Sequence, residues 1–183
     1  MPLPQLPLFD LSERHPGLTP AVASNYIEAA SVCLDRHHSP PEEFSLLDGD
    51  RSTEAVVSWM RPDDRTRNAW ANESDATRDG AYACALAAVE LAYEMVAVRR
   101  AETMTGADYY IGKLGQAFED LEGCFRLEVS GIDRGNDTIV TQRLKQKVNQ
   151  AAVGKSNLPA MACVVGFQVR KIVLQSVERY ELA

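Results

Sequence analysis

Two acidic residues stand inside strand-forming sequence, where a carboxylate needs a chemical or structural reason. Asp108 lies in the run T-G-A-D-Y-Y-I-G, and Glu128 lies in the run C-F-R-L-E-V-S-G-I. Aspartate and glutamate are poor strand formers among tyrosine, isoleucine, valine and phenylalanine. If the two runs pair antiparallel with their polar faces on the same side, the two carboxylates converge at the sheet surface. Two converging carboxylates are the smallest holder for a hard divalent cation such as Mg²⁺.

Strand alternation sets the neighbours of each carboxylate. Asp108 shares a face with Tyr110, and Glu128 shares a face with Arg126 and Ser130. A purely structural interpretation fits the same pattern, with Asp108 as a strand-end residue and Glu128 paired with Arg126 or another neighbour. The residues alone leave both interpretations open.

Length and composition predict one water-soluble domain. A chain of 183 residues is long enough for a sizeable core, and we expect a single domain over residues 1–183. The contents of 45% hydrophobic and 25% charged residues are ordinary for such a domain. No apolar run reaches the roughly 18 residues of a membrane span. The proline-rich start has no basic flank, so we expect no signal peptide and a cytoplasmic protein.

The four cysteines are widely separated in apolar sequence and contain no C-x-x-C pair. This spacing predicts buried, reduced thiols and no zinc site. They are Cys33, Cys84, Cys124 and Cys163.

Charge is distributed unevenly along the chain. The net charge of −7 argues against avid non-specific binding to nucleic acid, which depends on neutralising phosphates. The segment 138–155 nevertheless carries four basic residues and no acid. A basic stripe of this kind can bind a phosphate backbone or an acidic partner. Its members are Arg143, Lys145, Lys147 and Lys155.

The first 74 residues predict an extension rather than the centre of the fold. Residues 1–20 form a Pro-rich arm, whose apolar side chains suit the groove of another protein. Residues 21–74 predict a helix that begins at Thr19-Pro20, a hairpin around D-G-D, and a loop over 61–74. The paired histidines His37 and His38 are interpreted as a solvated helix end. The apolar arm residues are Leu3, Leu6, Leu8 and Phe9.

The remaining core, residues 75–178, predicts a helix, three strands, a second helix and two more strands. The first helix covers about 76–95 with Ser74 or Asp75 as its cap, and it is alanine-rich and apolar nearly all round, which predicts burial on most sides. Asn136 or Asp137 caps the second helix. Strands are expected over 96–101, around Asp108, around Glu128, and over 161–167 and 169–177. The tail, 178–183, is expected to fray.

This order of elements, with acids on the second and third strands, resembles the core of the PD-(D/E)XK nucleases, the restriction-endonuclease-like fold. The resemblance covers about 100 residues, from 76 to 178. It implies an α/β (α+β) protein with a core of order α-β-β-β-α-β-β and an N-terminal helix and hairpin extension. In that family an aspartate on the second core strand and an (E/Q)-x-K on the third bind Mg²⁺ and orient water. Asp108 matches the first position, and Glu128-Val129-Ser130 matches the second without its lysine.

Ser130 is the main departure from the family pattern, because a hydroxyl cannot supply positive charge. Some members supply the lysine from the following helix, which nominates Lys145 and Lys147; alternatively the site is inactive. A family acid often comes from the first core helix, and the sequence does not choose among its candidates. They are Asp75, Asp79, Glu90 and Glu94.

Three functions follow as hypotheses. The first is a Mg²⁺-dependent nuclease acting on DNA, with Asp108 and Glu128 as metal ligands and Lys145 or Lys147 at the phosphate. The resemblance would place such a protein in bacterial defence or DNA processing. The second is an inactive nuclease-like subunit that binds nucleic acid or, through its arm, a partner protein. The third is an unrelated small α/β interaction protein. Contacts to nucleic acid or partner would come from Arg143, Lys147 and Lys155.

Overall fold

The computed structural model describes residues 2–116, 119–154 and 156–177. The helices are α1 (Leu11–Arg14), α2 (Pro20–His37), α3 (Asp64–Ala69), α4 (Glu73–Tyr93) and α5 (Asp137–Ala152). The strands are β1 (Glu42–Asp48), β2 (Arg51–Val57), β3 (Met95–Arg100), β4 (Tyr109–Lys113), β5 (Phe125–Ile132), β6 (Ala160–Gly166) and β7 (Lys171–Val177). The mixed α+β class expected from the sequence is confirmed.

All seven strands join one mixed sheet in the order β2-β1-β7-β6-β5-β4-β3. Strands β3, β4 and β5 form an antiparallel meander after α4. Helix α5 then carries the chain to β6, which pairs parallel to β5. Strand β7 pairs antiparallel with β6 and parallel with β1, and β1 and β2 form the N-terminal hairpin.

Helices cover both faces of the sheet. The main core holds α2, the alanine-rich α4 and inward strand residues such as Leu127 and Val129. On the opposite face, Val140 and Leu144 of α5 pack on Ile132 and on β6. Because side chains alternate along β5, the residues that share a face with Glu128 lie on the α5 side of the sheet.

The starts of the long helices follow their capping residues. Thr19 caps α2 and Asn136 caps α5, as the sequence predicts. The predicted cap of α4 at Ser74 or Asp75 is wrong, because Asn72 Oδ1 accepts from both of their backbone amides. An asparagine supplies this acceptor as well as a serine or aspartate does, so α4 begins at Glu73. The predicted loop over 61–74 also contains α3, which Asp63 caps.

The Pro-rich arm is part of this chain's own core. Leu6 and Leu8, expected to face another protein, are instead 4% and 2% exposed within the main core. Leu3 and Phe9 remain exposed. The arm therefore offers a partner only half of the apolar side chains that the sequence suggested.

Backbone hydrogen bonds tie this N-terminal segment to both outer strands of the sheet. At β2, the Leu6 amide donates to the Val56 carbonyl, and the Val56 amide donates to the Pro4 carbonyl. At β3, the Gly17 amide donates to the Ala97 carbonyl, and the Ala97 amide donates to His15 Nδ1. The two ends of one short segment thus contact the strands at the two opposite edges of the sheet.

The paired histidines are not a solvated helix end, so that interpretation is wrong. His37 Nε2 lies 3.1 Å from Asp133 Oδ1, and His38 Nε2 lies 2.8 Å from the Phe167 carbonyl. Both rings therefore bind the end of α2 to the C-terminal ends of β5 and β6. Adjacent residues of a helix face in different directions, but here each of the two rings lies within hydrogen-bonding distance of a residue that follows a strand of the sheet.

All four cysteines are free and buried, as expected. None of the helices in the described ranges is long and apolar enough to cross a bilayer. The predicted frayed tail, 178–183, lies outside the described residues.

Candidate active site

The two carboxylates meet where β4 begins beside β5. The register pairs Tyr109 with Leu127, and Asp108 directly precedes Tyr109. Asp108 and Glu128 both line the same cleft. The Asp108 amide donates to the Leu127 carbonyl at 2.7 Å, and the Val129 amide donates to Asp108 Oδ2 at 2.8 Å. Asp108 is thus fixed to β5 through both its backbone and its side chain. The structure brings together the two acids that the sequence singled out.

Glu128 is paired with a lysine from α5. Its side chain is 5% exposed, and Lys147 Nζ lies 2.6 Å from its Oε1. Lys147 also donates to Gln150 Oε1 at 3.1 Å. Arg126, the partner of Glu128 in the structural interpretation, donates to the carbonyl oxygens of Thr105 and Leu158.

The surroundings of Glu128 shift its pKa in opposite directions. Loss of solvent raises the pKa of its carboxyl, and the nearby negative charge of Asp108 raises it further. The Lys147 ammonium lowers the same pKa. The net shift of the Glu128 pKa is upward, because the lysine offsets the effects of burial and of Asp108 only in part.

Asp108 also contacts two residues, Tyr82 and Arg100, outside β5. Tyr82 of α4 donates its hydroxyl to Asp108 Oδ1 at 2.7 Å. Arg100 Nη2, at the end of β3, lies 3.5 Å from the same oxygen. The carboxylate is 17% exposed, and each of its oxygens can still accept a further bond, since an ionised carboxylate offers about four lone-pair sites.

A second cation from α5 faces Ser130 of β5. Arg143 Nη1 donates to Ser130 Oγ at 3.1 Å. Arg143 and Lys147 are one helical turn apart and both reach β5. Lys145 is exposed on α5 and is not among the residues lining the cleft. Lys155 lies outside the described residues.

These groups line an open cleft of about 1290 Å³ between α4, α5 and the β3–β4 loop. The four helix acids nominated from the sequence are not among its lining residues, whereas Glu73 is. Glu73 pairs with Arg134 at 2.8 Å. The sequence missed Glu73 because α4 begins one turn earlier than predicted. Glu90 instead binds Arg14 and His15.

The carboxylate pair fits the way proteins usually hold Mg²⁺. Among the described residues, no group of three or more His, Cys, Asp or Glu side chains forms a complete metal cage. Mg²⁺ does not require one, because it keeps several waters and binds through one or two carboxylates plus substrate phosphate. Asp108 and Glu128 supply such a pair at the wall of a cleft open to solvent.

Tyr82 and Arg100 are site residues that sequence analysis missed. Tyr82 lies in a run that reads as buried helix, and Arg100 ends a strand, so neither has a spacing signal. Comparison with known proteins adds no assignment: no family model, no curated protein and no solved structure matches this chain.

Proposed function

We propose that the protein is a metal-dependent nuclease that acts on DNA, with Asp108, Glu128 and Lys147 as its catalytic residues. One observation carries the proposal. Lys147 reaches from α5 to within 2.6 Å of Glu128 and so supplies the positive charge that Glu128-Val129-Ser130 lacks. In this proposal Lys147 takes the role of the lysine that some members of the resembled family supply from the following helix.

The sheet topology supports the same proposal. A helix, three strands, a second helix and two strands is the order that the resemblance to a restriction-endonuclease-like core implies, and the chain has these elements in that order from α4 onward. Asp108 directly precedes the second strand, and Glu128 lies on the third. The order of elements therefore supports the proposed site.

The charges in the cleft suit a phosphodiester. Hydrolysis concentrates negative charge on the phosphate oxygens, and preorganised cations lower the barrier. Arg143 has no acidic partner among the described residues, and it donates to the neutral hydroxyl of Ser130. It can therefore bind a phosphate without first breaking an ion pair. Lys147 lies beside Glu128, where it can hold a phosphate oxygen or the attacking water in place.

A Mg²⁺ ion held by Asp108 and Glu128 would supply Lewis acidity to the phosphate and lower the pKa of bound water. The protein's own contribution is position. Tyr82 and the Val129 amide fix the two oxygens of Asp108, and burial fixes the Glu128 side chain. Neither carboxylate has to reorganise when substrate enters.

A second candidate is a binding subunit without catalysis. The direct Lys147–Glu128 pair favours it, because the ammonium already balances the buried charge. In this case the cleft would bind DNA through Arg143 and Lys147, and no cation would be needed. The same assay separates the two candidates.

The test is a cleavage assay on linear and plasmid DNA with titrated Mg²⁺ or Mn²⁺. We expect metal-dependent cleavage that falls about 100-fold or more in Asp108→Asn, Glu128→Gln and Lys147→Met, a loss typical of removing one preorganised catalytic group. Lys145→Met is the matched control, since it removes the same charge from the same helix and should cleave normally.

Cleavage that survives both Asp108→Ala and Glu128→Ala would refute the nuclease proposal. DNA binding without cleavage at any metal concentration, weakened by Arg143→Ala, would support the binding subunit instead. Melting temperatures of all variants show which of them remain folded.

A further inference from the structure

A second pocket of about 520 Å³ adjoins the cleft on the α2 side of the sheet. It shares three residues with the cleft, so a ligand can occupy both at once; they are Arg78, Tyr82 and Arg100. Its other walls come from α2 and include Val22, Asn25 and Tyr26. None of these α2 residues has a role in the proposed chemistry.

Arg100 forms the wall between the two spaces and is held in place from several sides. Its guanidinium carbon lies 4.6 Å from the centre of the Tyr82 ring and 4.7 Å from that of Tyr109. It donates to the Tyr26 and Tyr82 hydroxyls at 3.2 and 3.1 Å. Such a cluster fixes a planar cation, yet 48% of its side chain remains exposed.

A fixed, half-exposed guanidinium beside tyrosine rings is a stacking platform for a nucleobase. Unpaired bases stack on aromatic side chains and on arginine planes, and such stacking tolerates any base because every base has a π-face. Val22 adds exposed apolar surface at the pocket wall. Asn25 donates to Asp79 at 3.0 Å, so an amide and a carboxylate group also line the pocket.

The platform lies next to the proposed scissile position. Arg100 Nη2 is 3.5 Å from Asp108 Oδ1, and the Tyr82 hydroxyl is 2.7 Å from the same atom. A base stacked on Arg100 therefore belongs to a nucleotide directly beside the phosphate at Asp108. A base inside an intact duplex is stacked and paired, and it has to be extruded before it can enter a separate pocket.

We propose that the α2–α4–β3 pocket binds one unpaired nucleobase, so that the preferred ligand of the cleft is DNA with a single-stranded nucleotide next to the scissile phosphate. The assignment of the phosphate position rests on the proposed function. The base-binding pocket does not, because it can be measured without cleavage.

The experiment measures binding in EDTA by fluorescence anisotropy, with three labelled DNAs of equal length: single-stranded, fully paired, and paired with one central unpaired nucleotide. We expect wild-type protein to bind the first and third at least about 5-fold more tightly than the second. Arg100→Lys keeps the positive charge but removes the planar guanidinium group. This variant should lose about 5- to 150-fold in affinity for single-stranded DNA, the range for one lost stacking contact. Its affinity for the fully paired DNA should fall by less, because that DNA has no unpaired base to stack on Arg100.

Two further variants keep the test independent of folding defects around Arg100. Val22→Trp lies on exposed helix surface and fills the pocket, so it should abolish the preference for unpaired DNA while the protein melts normally. Arg61→Lys, an exposed arginine outside both spaces, is the matched control and should keep the preference.

Equal wild-type affinity for all three DNAs, absence of DNA binding, or a preference that persists in Val22→Trp would each overturn the base-pocket proposal. These outcomes differ from failure of the proposed nuclease. If the nuclease proposal fails, cleavage is missing or is unaffected by Asp108→Asn, whatever the binding preference.

Discussion

Replacing Lys147 with methionine removes the ammonium that balances Glu128 and leaves most of the side-chain volume in place. Glu128 is 5% exposed and Lys147 is 20% exposed. Solvent therefore cannot replace the lost partner fully. Breaking a buried pair from one side typically costs about 3–5 kcal/mol, because the remaining charge is uncompensated.

Protonation of Glu128 limits this loss. Protonating a carboxyl with an ordinary pKa of 4.5 at pH 7.5 has a free-energy cost that corresponds to 3 pH units. At 1.36 kcal/mol per unit this cost is about 4 kcal/mol, which is the upper limit of the loss. At pH 5.5 the same limit is 1 unit, or about 1.4 kcal/mol. The folded-state pKa of Glu128 is raised, so the variant should recover stability as pH falls. Most of the deficit at pH 7.5 should thus disappear at pH 5.5.

Urea denaturation in EDTA at the two pH values, with wild type measured in parallel, gives the deficit. Lys145→Met is the matched control and should stay within about 0.5 kcal/mol of wild type, as exposed substitutions do. The double variant Glu128→Gln/Lys147→Met should regain most of the lost stability, because the buried charge is gone. Adding Mg²⁺ should stabilise Lys147→Met more than wild type, since the cation replaces the ammonium. A deficit below about 0.5 kcal/mol at pH 7.5, or one that does not change with pH, would refute this electrostatic account.

Two further predictions concern the framework of the site. His15 is fully buried and donates from Nε2 toward Glu90 while its Nδ1 accepts from a backbone amide, and burial lowers its pKa. The unfolded chain therefore binds the proton first, and stability is lost as pH falls through about 6.5. His15→Gln should reduce the slope of the unfolding free energy against pH, between pH 7 and 5, by up to about 1.4 kcal/mol per pH unit. An unchanged slope would contradict this prediction. Gly80→Ala gains about 0.8–1 kcal/mol of helix propensity, but its methyl group would lie 2.9 Å from Ala30 backbone atoms across the α2–α4 contact. Overpacking typically costs 1–3 kcal/mol, so we expect a net loss near 1 kcal/mol in thermal or urea unfolding, and a net gain would show that the helices separate freely.

Local chemistry made much of this fold predictable. The D-G-D turn places β1 against β2, and Thr19 and Asn136 each present a side-chain oxygen to a free helix amide. Such signals act over a few residues and do not depend on the rest of the chain. The α4 start was misplaced because Asn72, Ser74 and Asp75 are all good caps within one turn, and propensity alone does not rank them.

Long-range contacts made the remainder unpredictable. Lys145 and Lys147 differ by about 200° around a helix, so the choice between them depends on which face of α5 meets the sheet. In the structure, Arg143 and Lys147 both reach β5 from the side of α5 that packs on the sheet. Arg100 gave no signal in the sequence, since its role arises from how α2 and α4 lie across the end of the meander.

The segment from Pro4 to Gly17 supplies hydrogen-bond partners to β2 and β3, the two outermost strands of the sheet. A strand with one side unpaired is a template for joining another chain, and this segment occupies part of that side on both β2 and β3. Shortened chains that begin after it would expose both templates together with the seats of Leu6 and Leu8. We expect such chains to self-associate, so inactivity in them would report on oligomerisation of the sheet rather than on the chemistry of Asp108 and Glu128.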